Sequence, residues 1–237
     1  MLTEAIVLAG GLGTRLRPVV SDLPKAMAPI AGQPFLKYLP QFLEMNGVRR
    51  VVLAVGYRKE AISEFFGSSY GGLKILYSME DEPLGTGGGL LQALEFVDSP
   101  FALVLNGDTF LRLNYRAMAR TLDHEKDPQL VVALRPVADT ARYGAAIVAD
   151  GRIQGFAARG THRPGLINAG CYLIARDIFR RYPMPRKFSW EKDFLEARAP
   201  EVRPIAFECD VPFIDIGIPE ALEEAQTLIP EWMSAIA

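Results

Sequence analysis

The sequence predicts an α/β fold, a mostly parallel sheet flanked by helices, with a mixed β region in the C-terminal half. Three observations carry this. Short apolar runs read as buried strands: "AIVLA" (5–9), "VVLAV" (51–55), "LKILY" (73–77), "FALVL" (101–105) and "LVVAL" (130–134). Segments of helical periodicity lie between them, among them "KEAISEFFG", "GGLLQALEFV" and "YRAMARTLDHEK". After about residue 135 the alternation stops, and "GAAIVAD", "GRIQGFAAR" and "INAGCYLIAR" follow as strands in close succession. Alternating strands and helices give a Rossmann-like parallel sheet, because a parallel connection must cross over a face of the sheet.

Taken in order, "AIVLA" opens into a glycine loop. "FLKYLPQFLEMNG" has apolar residues at 35, 36, 39, 42 and 43, a helical stripe that Asn46-Gly47 should stop. Pro40 inside it is expected to kink or break the helix. The β region beyond residue 135 is expected to lie over the sheet within one domain spanning 1–237. "PEALEEAQTLIPEWM" closes the chain as an amphipathic helix, with Pro219 in its first turn.

Composition excludes several classes. With 49% hydrophobic residues over 237 positions, the chain is long enough to bury one large core. A net charge of −2 gives no footprint for nucleic acid, and no basic run marks a membrane surface. No apolar stretch approaches the ~18 residues of a spanning helix. The start, "TEAIVLAGG", has no signal-peptide pattern, so a cytoplasmic protein is expected. Cys171 and Cys209, far apart in sequence and in apolar surroundings, read as buried thiols. His124 and His162 have no Cys or His neighbours, which argues against a His-based triad or a zinc site.

Chemistry is expected elsewhere. "LAGGLGTRLRPVVSDLPKAMAPI" combines Gly10, Gly11 and Gly13 with Thr14, Arg15 and, further on, Lys25. It matches neither the dinucleotide fingerprint, because Leu16 stands where a third glycine belongs, nor the P-loop. Bare backbone N–H groups, a hydroxyl and a forked cation nevertheless suit phosphate. The alternative is a tight strand-to-helix turn with an exposed Arg. Lys25 lies in an extended apolar context where an ammonium needs an anionic partner.

Asp108 in "LVLNGDTF" follows an apolar strand, at the sheet edge where ligands gather. Asp215 in "PFIDIGIPE" is flanked by isoleucines, so its carboxylate is costly to bury unless paired or metal-bound. Two carboxylates with phosphate oxygens and water make a Mg²⁺ site. In "EDEPLGTGGG" (80–89) the glycines could let a base lie on backbone, and Glu80 or Glu82 could accept from guanine N1–H and N2–H₂. A solvated acidic loop capping the next helix is the other reading.

Together these segments resemble the sugar-1-phosphate nucleotidyltransferases over essentially the whole chain. The family signature G-G-x-G-T-R-L…P-K stands as Gly10, Gly11, Gly13, Thr14, Arg15, Leu16, then Pro24-Lys25. "EPLGTGGG", "LNGDTF", "RYG", "INAGCYLI", "FSWEKDFL" and "FIDIGIPE" look like the branch that joins GTP to D-glycero-α-D-manno-heptose 1-phosphate for bacterial surface glycans. The resemblance implies the nucleotide-diphospho-sugar transferase fold. A nucleotide-binding half would cover about 1–135 and a sugar-phosphate-binding half about 136–237.

It also implies roles. Arg15, Lys25 and Asp108 would be catalytic. Leu8, Ala9, Gly10, Gly11, Gly13, Thr14, Arg15, Glu80, Pro83, Gly85, Thr86, Asn106 and Gly107 would hold the nucleotide. Lys25, Gly144, Arg159, Asn168 and Asp193 would face the sugar phosphate, and Asp108 and Asp215 would bind Mg²⁺.

One departure stands out. Many relatives carry Glu-Lys where this chain has Ala158-Arg159. Arg159 still offers phosphate a cation, but Ala158 cannot bond a sugar hydroxyl. Sugar identity, base identity and a homo-oligomeric state stay open at this point. So do a uridylyl or other nucleotidyltransferase on a different sugar phosphate, and a non-catalytic nucleotide-sensing relative.

Overall fold

A computed structural model describes residues 2–11 and 23–235; Gly13, Thr14 and Arg15 lie outside them. The first half runs β1 (Glu4–Leu8), β2 (Pro29–Ile30), β3 (Gln33–Pro34), α1 (Phe35–Met45), β4 (Arg50–Val55) and α2 (Lys59–Phe66). It continues through β5 (Ser69–Tyr70), β6 (Leu73–Met79), α3 (Gly85–Leu94), β7 (Phe101–Asn106), β8 (Thr109–Leu111) and α4 (Tyr115–Ala119). Next come β9 (Leu130–Val137), β10 (Ala146–Ala149), β11 (Arg152–Phe156), β12 (Gly165–Ala175) and α5 (Ile178–Arg181). A π-helical segment over Trp190–Glu196 leads into α6 (Ala197–Val202), followed by β13 (Ile205–Glu208), β14 (Phe213–Asp215) and α7 (Pro219–Ser234).

Ten strands form one sheet in the order β10-β11-β13-β9-β12-β7-β1-β4-β6-β5. The β7-β1-β4-β6 portion is parallel, as expected. The expectation that the later strands lie over this sheet is corrected. Strand β12 runs antiparallel to both β7 and β9, stitching the two halves edge to edge into a single layer. An 11-residue strand can do this because most of its side chains are buried, on both faces alternately.

The alternation in β1 shows how the layers form. Ala5 and Val7 join one core cluster with residues of α1, α2, α4 and α7. Ile6 joins the other, with residues of α3, α5, α6 and the π-helical segment. The sheet is thus sandwiched between two helical layers.

Helix α1 continues through Pro40 without a break and ends at Asn46-Gly47 as predicted. Buried Phe35, Leu36, Leu39, Phe42 and Leu43 hold it on the core and offset the N–H that proline lacks. Pro219 occupies the first turn of α7. Both cysteines are free and buried; burial lifts the Cys171 thiol well above its ordinary range and Cys209 to about 11.

Candidate active site

The carboxyl ends of β1 and β7 make the floor of a cavity of about 440 Å³. Gly107 brings them together: its N–H bonds the Leu8 carbonyl at 2.9 Å, and a Cβ there would lie 2.6 Å from that oxygen. No other residue fits so close, which explains the glycine immediately before Asp108. Leu8, Ala9, Gly10, Gly11, Glu80, Pro83, Gly85, Thr86, Asn106 and Gly107 all line this cavity, with Lys25 and Asp108.

Helix α3 starts earlier than the predicted "GGLLQALEFV" stretch and takes in the whole "TGGG" segment. Its glycines serve packing: a Cβ on Gly88 would meet the Arg186 carbonyl at 2.4 Å, and one on Gly87 the Phe188 ring at 2.2 Å. A Cβ on Gly89 would lie 2.5 Å from Glu80 Oε1. The Glu80 carboxylate therefore sits in a niche of glycine backbone, its Oε2 accepting a 3.0 Å bond from the Leu84 N–H. Burial pushes its pKa up, and the Leu84 bond partly opposes this. No protein hydrogen bond reaches Oε1 among the described residues.

A second cavity of about 300 Å³ adjoins the first, and both are walled by Asn106, Asp108 and Glu191. Arg142, Tyr143, Arg159, Asn168 and Asp215 line it, with Glu191 and Lys192 from the π-helical segment. Asn168 is held in place from both ends of its amide. Its Oδ1 accepts from the Gly170 N–H at 3.0 Å, and its Nδ2 donates to the buried Tyr172 hydroxyl at 2.8 Å.

Between the cavities the Lys25 ammonium donates a hydrogen bond to Asp108 Oδ2 and lies 4.0 Å from Asp215 Oδ1. The lysine side chain is only 13% exposed. Asp215 arrives on β14, paired antiparallel with β8 so that it faces Thr109, the neighbour of Asp108. Arg142 donates to Asp215 Oδ2 at 2.9 Å, and the Gly217 N–H to Oδ1 at 2.8 Å. A Cβ at Gly217 would stand 2.8 Å from Asp215 Oδ1, so a larger residue there would displace this carboxylate. Burial raises the Asp215 pKa, and the facing Asp108 carboxylate adds to the rise; Lys25, Arg142 and the Gly217 N–H oppose it.

Two expected sugar-side residues line neither cavity. Asp193 turns back to cap its own segment, accepting from the Ser189 N–H at 2.7 Å. Gly144, at φ +82°, lies behind Arg159, and a Cβ there would meet the Ala157 carbonyl at 2.8 Å. Arg142, Glu191 and Lys192 were not singled out from the sequence, although they stand in the "RYG" and "FSWEKDFL" segments that carried the resemblance. Neither histidine lines either of these two cavities; His162 pairs with Asp139 on the surface at 2.8 Å.

Two adjoining cavities thus meet at the carboxyl ends of parallel strands, with an ammonium and two carboxylates at their junction. The profile of the Nucleotidyl transferase family matches residues 4–231. The chain is 43% identical over 224 residues to D-glycero-alpha-D-manno-heptose 1-phosphate guanylyltransferase of Aneurinibacillus thermoaerophilus, covering 94% of this chain and 96% of that protein. The Campylobacter jejuni protein of that name is 40% identical over 218 residues, with 92% and 96% covered. HddC from Yersinia pseudotuberculosis superposes with a TM-score of 0.83 at 35% identity, covering 95% of this chain and 98% of that one. A second structure of HddC, complexed with GMP-PN, gives 0.81. The chain belongs to the nucleotidyl transferase family.

Among the described residues, no helix is long and apolar enough to cross a membrane.

Proposed function

We propose that this enzyme transfers the guanylyl group of GTP to D-glycero-α-D-manno-heptose 1-phosphate, releasing pyrophosphate and forming the GDP-heptose. The observation that carries the reading is the cluster of Lys25, Asp108 and Asp215 at the shared wall of two adjoining cavities, which supports a nucleotide α-phosphate and a sugar phosphate meeting there. The names of the relatives that match nearly end to end supply the base and the sugar.

In this reading the guanine lies over Gly85 and Thr86, and Glu80 Oε1 accepts from its N1–H and N2–H₂. The signature loop, with Gly11, Gly13, Thr14 and Arg15, takes the triphosphate. Arg159, Asn168 and Lys25 face the sugar phosphate.

No general base is required. The second pKa of a phosphate monoester is about 6, so the attacking oxygen is largely ionised at neutral pH. That oxygen attacks the α-phosphorus in line; a new P–O bond forms as the bond to the β-phosphate oxygen breaks and pyrophosphate departs. The enzyme has to bring two polyanions together and balance charge moving onto the leaving group. Lys25 would serve both tasks.

The residues fit a divalent ion. Asp108 and Asp215 face each other closely enough to raise the pKa of Asp215, a like-charge pair that a cation relieves. Two carboxylates leave the remaining positions to phosphate oxygens and water, the coordination Mg²⁺ favours. When bound there, the ion would neutralise α-phosphate charge. Lys25 would then yield its contact with Asp108 to the incoming phosphate.

The test is a panel of four nucleoside triphosphates against several sugar 1-phosphates with Mg²⁺, following pyrophosphate release. GTP with the heptose phosphate should give the highest kcat/KM. No pyrophosphate release with any pair would remove the proposal.

A further inference from the structure

Arg159 lines the sugar-side cavity, and its neighbour Ala158 has no side-chain hydrogen-bond acceptor. Glu191 and Lys192 project from the π-helical segment and both line this cavity. Neither Arg159 nor Lys192 has an ion pair with a described residue.

The Glu191 carboxylate is held by one oxygen only. Its Oε2 accepts from the Thr86 hydroxyl at 2.8 Å, and that hydroxyl accepts from the Trp190 N–H at 2.9 Å. Its Oε1 has no protein partner among the described residues. The backbone beneath is anchored, because the fully buried Trp190 stacks on Phe194 at 4.9 Å and meets the Tyr172 ring edge-on at 5.5 Å. A fixed carboxylate with one unoccupied oxygen suits a neutral O–H donor.

Glu191 touches the nucleotide cavity as well, so the ribose is the competing donor. The neighbours decide between them: Ser189, Lys192, Leu195 and Glu196 of the same segment line only the sugar-side cavity.

We propose that Glu191 determines sugar specificity, accepting a ring or side-chain hydroxyl of the sugar through Oε1 while Thr86 sets its orientation. It supplies an acceptor that Ala158, the neighbour of Arg159, lacks. The inference rests on the sugar 1-phosphate reading above.

The experiment measures kinetics for wild type, Glu191→Gln and Glu191→Ala, varying GTP and heptose 1-phosphate separately. It adds heptose 1-phosphate analogues that each lack one hydroxyl. Losing a hydrogen bond to a charged group should raise the sugar phosphate KM of Glu191→Ala roughly tenfold to a hundredfold, with kcat and the GTP KM within about threefold. One deoxy analogue should be discriminated against by wild type and not by Glu191→Ala. Glu191→Gln keeps the shape and should fall between; it carries the test if the alanine variant fails to fold.

A change confined to the GTP KM assigns Glu191 to the ribose and overturns the proposal. So does an unchanged sugar KM, or equal discrimination against every deoxy analogue in wild type and variant. Wild-type turnover alongside any of these results leaves the guanylyltransferase reading standing. A wild type that uses no sugar 1-phosphate removes both.

Discussion

The Lys25 ammonium hydrogen-bonds the Asp108 carboxylate across 83 positions of sequence, and the pair stands on the wall between two cavities. Nothing local puts them together. Lys25 begins a short 3₁₀ turn after Pro24, whereas Asp108 follows the central strand β7 through Gly107.

From this contact we expect Lys25→Ala and Asp108→Ala each to lower turnover by at least ~10²-fold. A cation ~4 Å from a phosphate oxygen at an effective dielectric of about 20 contributes roughly 4 kcal/mol, an upper bound near a thousandfold in rate. Pyrophosphate release under saturating substrates measures it, and circular dichroism checks that both variants fold. Near-normal turnover in both would remove the proposed mechanism.

Removing divalent ions with EDTA should abolish turnover, and Mg²⁺ should restore it. Asp215→Asn removes one of two carboxylates, so the Mg²⁺ concentration for half-maximal rate should rise about tenfold or more. A Mg²⁺ titration of both proteins decides this. An unshifted midpoint would take Asp215 out of the metal site.

Glu80→Gln should cost GTP about tenfold or more in kcat/KM, because an amide cannot accept from both guanine donors while keeping the Leu84 bond. Wild type should prefer GTP to ITP, which lacks the N2 amine, and the variant should lose that preference. Equal discrimination by the two proteins counts against Glu80 as the guanine reader.

The same substitution has a pH signature. Burial raises the Glu80 pKa above its ordinary 4.5, so folding favours the protonated acid. That stabilisation is complete below the unfolded value and is lost as pH rises through the folded one. The groups facing Glu80 are the Leu84 N–H on its carboxylate and the Lys59 ammonium, which bonds its main-chain carbonyl at 3.3 Å and pairs with Asp81. Glu80→Gln stays neutral throughout. It should melt above wild type at neutral pH, with the difference vanishing as pH falls below the ordinary carboxylate range. Melting curves from about pH 3 to 8, which reach below the ordinary carboxylate range, test the sign.

Gly88→Ala should destabilise the fold by about 1–3 kcal/mol, since its Cβ would press on the Arg186 backbone, which cannot rotate away. Thermal melting should show a drop of about 2–4 °C per kcal/mol. An unchanged midpoint would mean that α3 shifts freely against residues 186–188.

The sequence by itself determined the order of the long strands and helices of the first half, the stop of α1 at Asn46-Gly47 and the place of Pro219, because these follow from short-range periodicity and backbone chemistry. It also picked out Lys25, Asp108, Asp215 and Glu80, since a charged group in an apolar or glycine-rich setting needs a partner wherever it lies.

Tertiary structure alone decided three other matters. Antiparallel β12 merges the later strands into the same sheet, and pairing across that distance leaves no local pattern. The glycines of α3 answer to Phe188 and Arg186, about a hundred residues away in a helix-packing contact that spacing cannot show. Asp193 and Glu191 stand two positions apart in one acidic segment, yet the π-helical winding turns one to cap its own backbone and the other into both cavities. Charge and composition are alike for the pair; the direction of a side chain is fixed only by the packing beneath it.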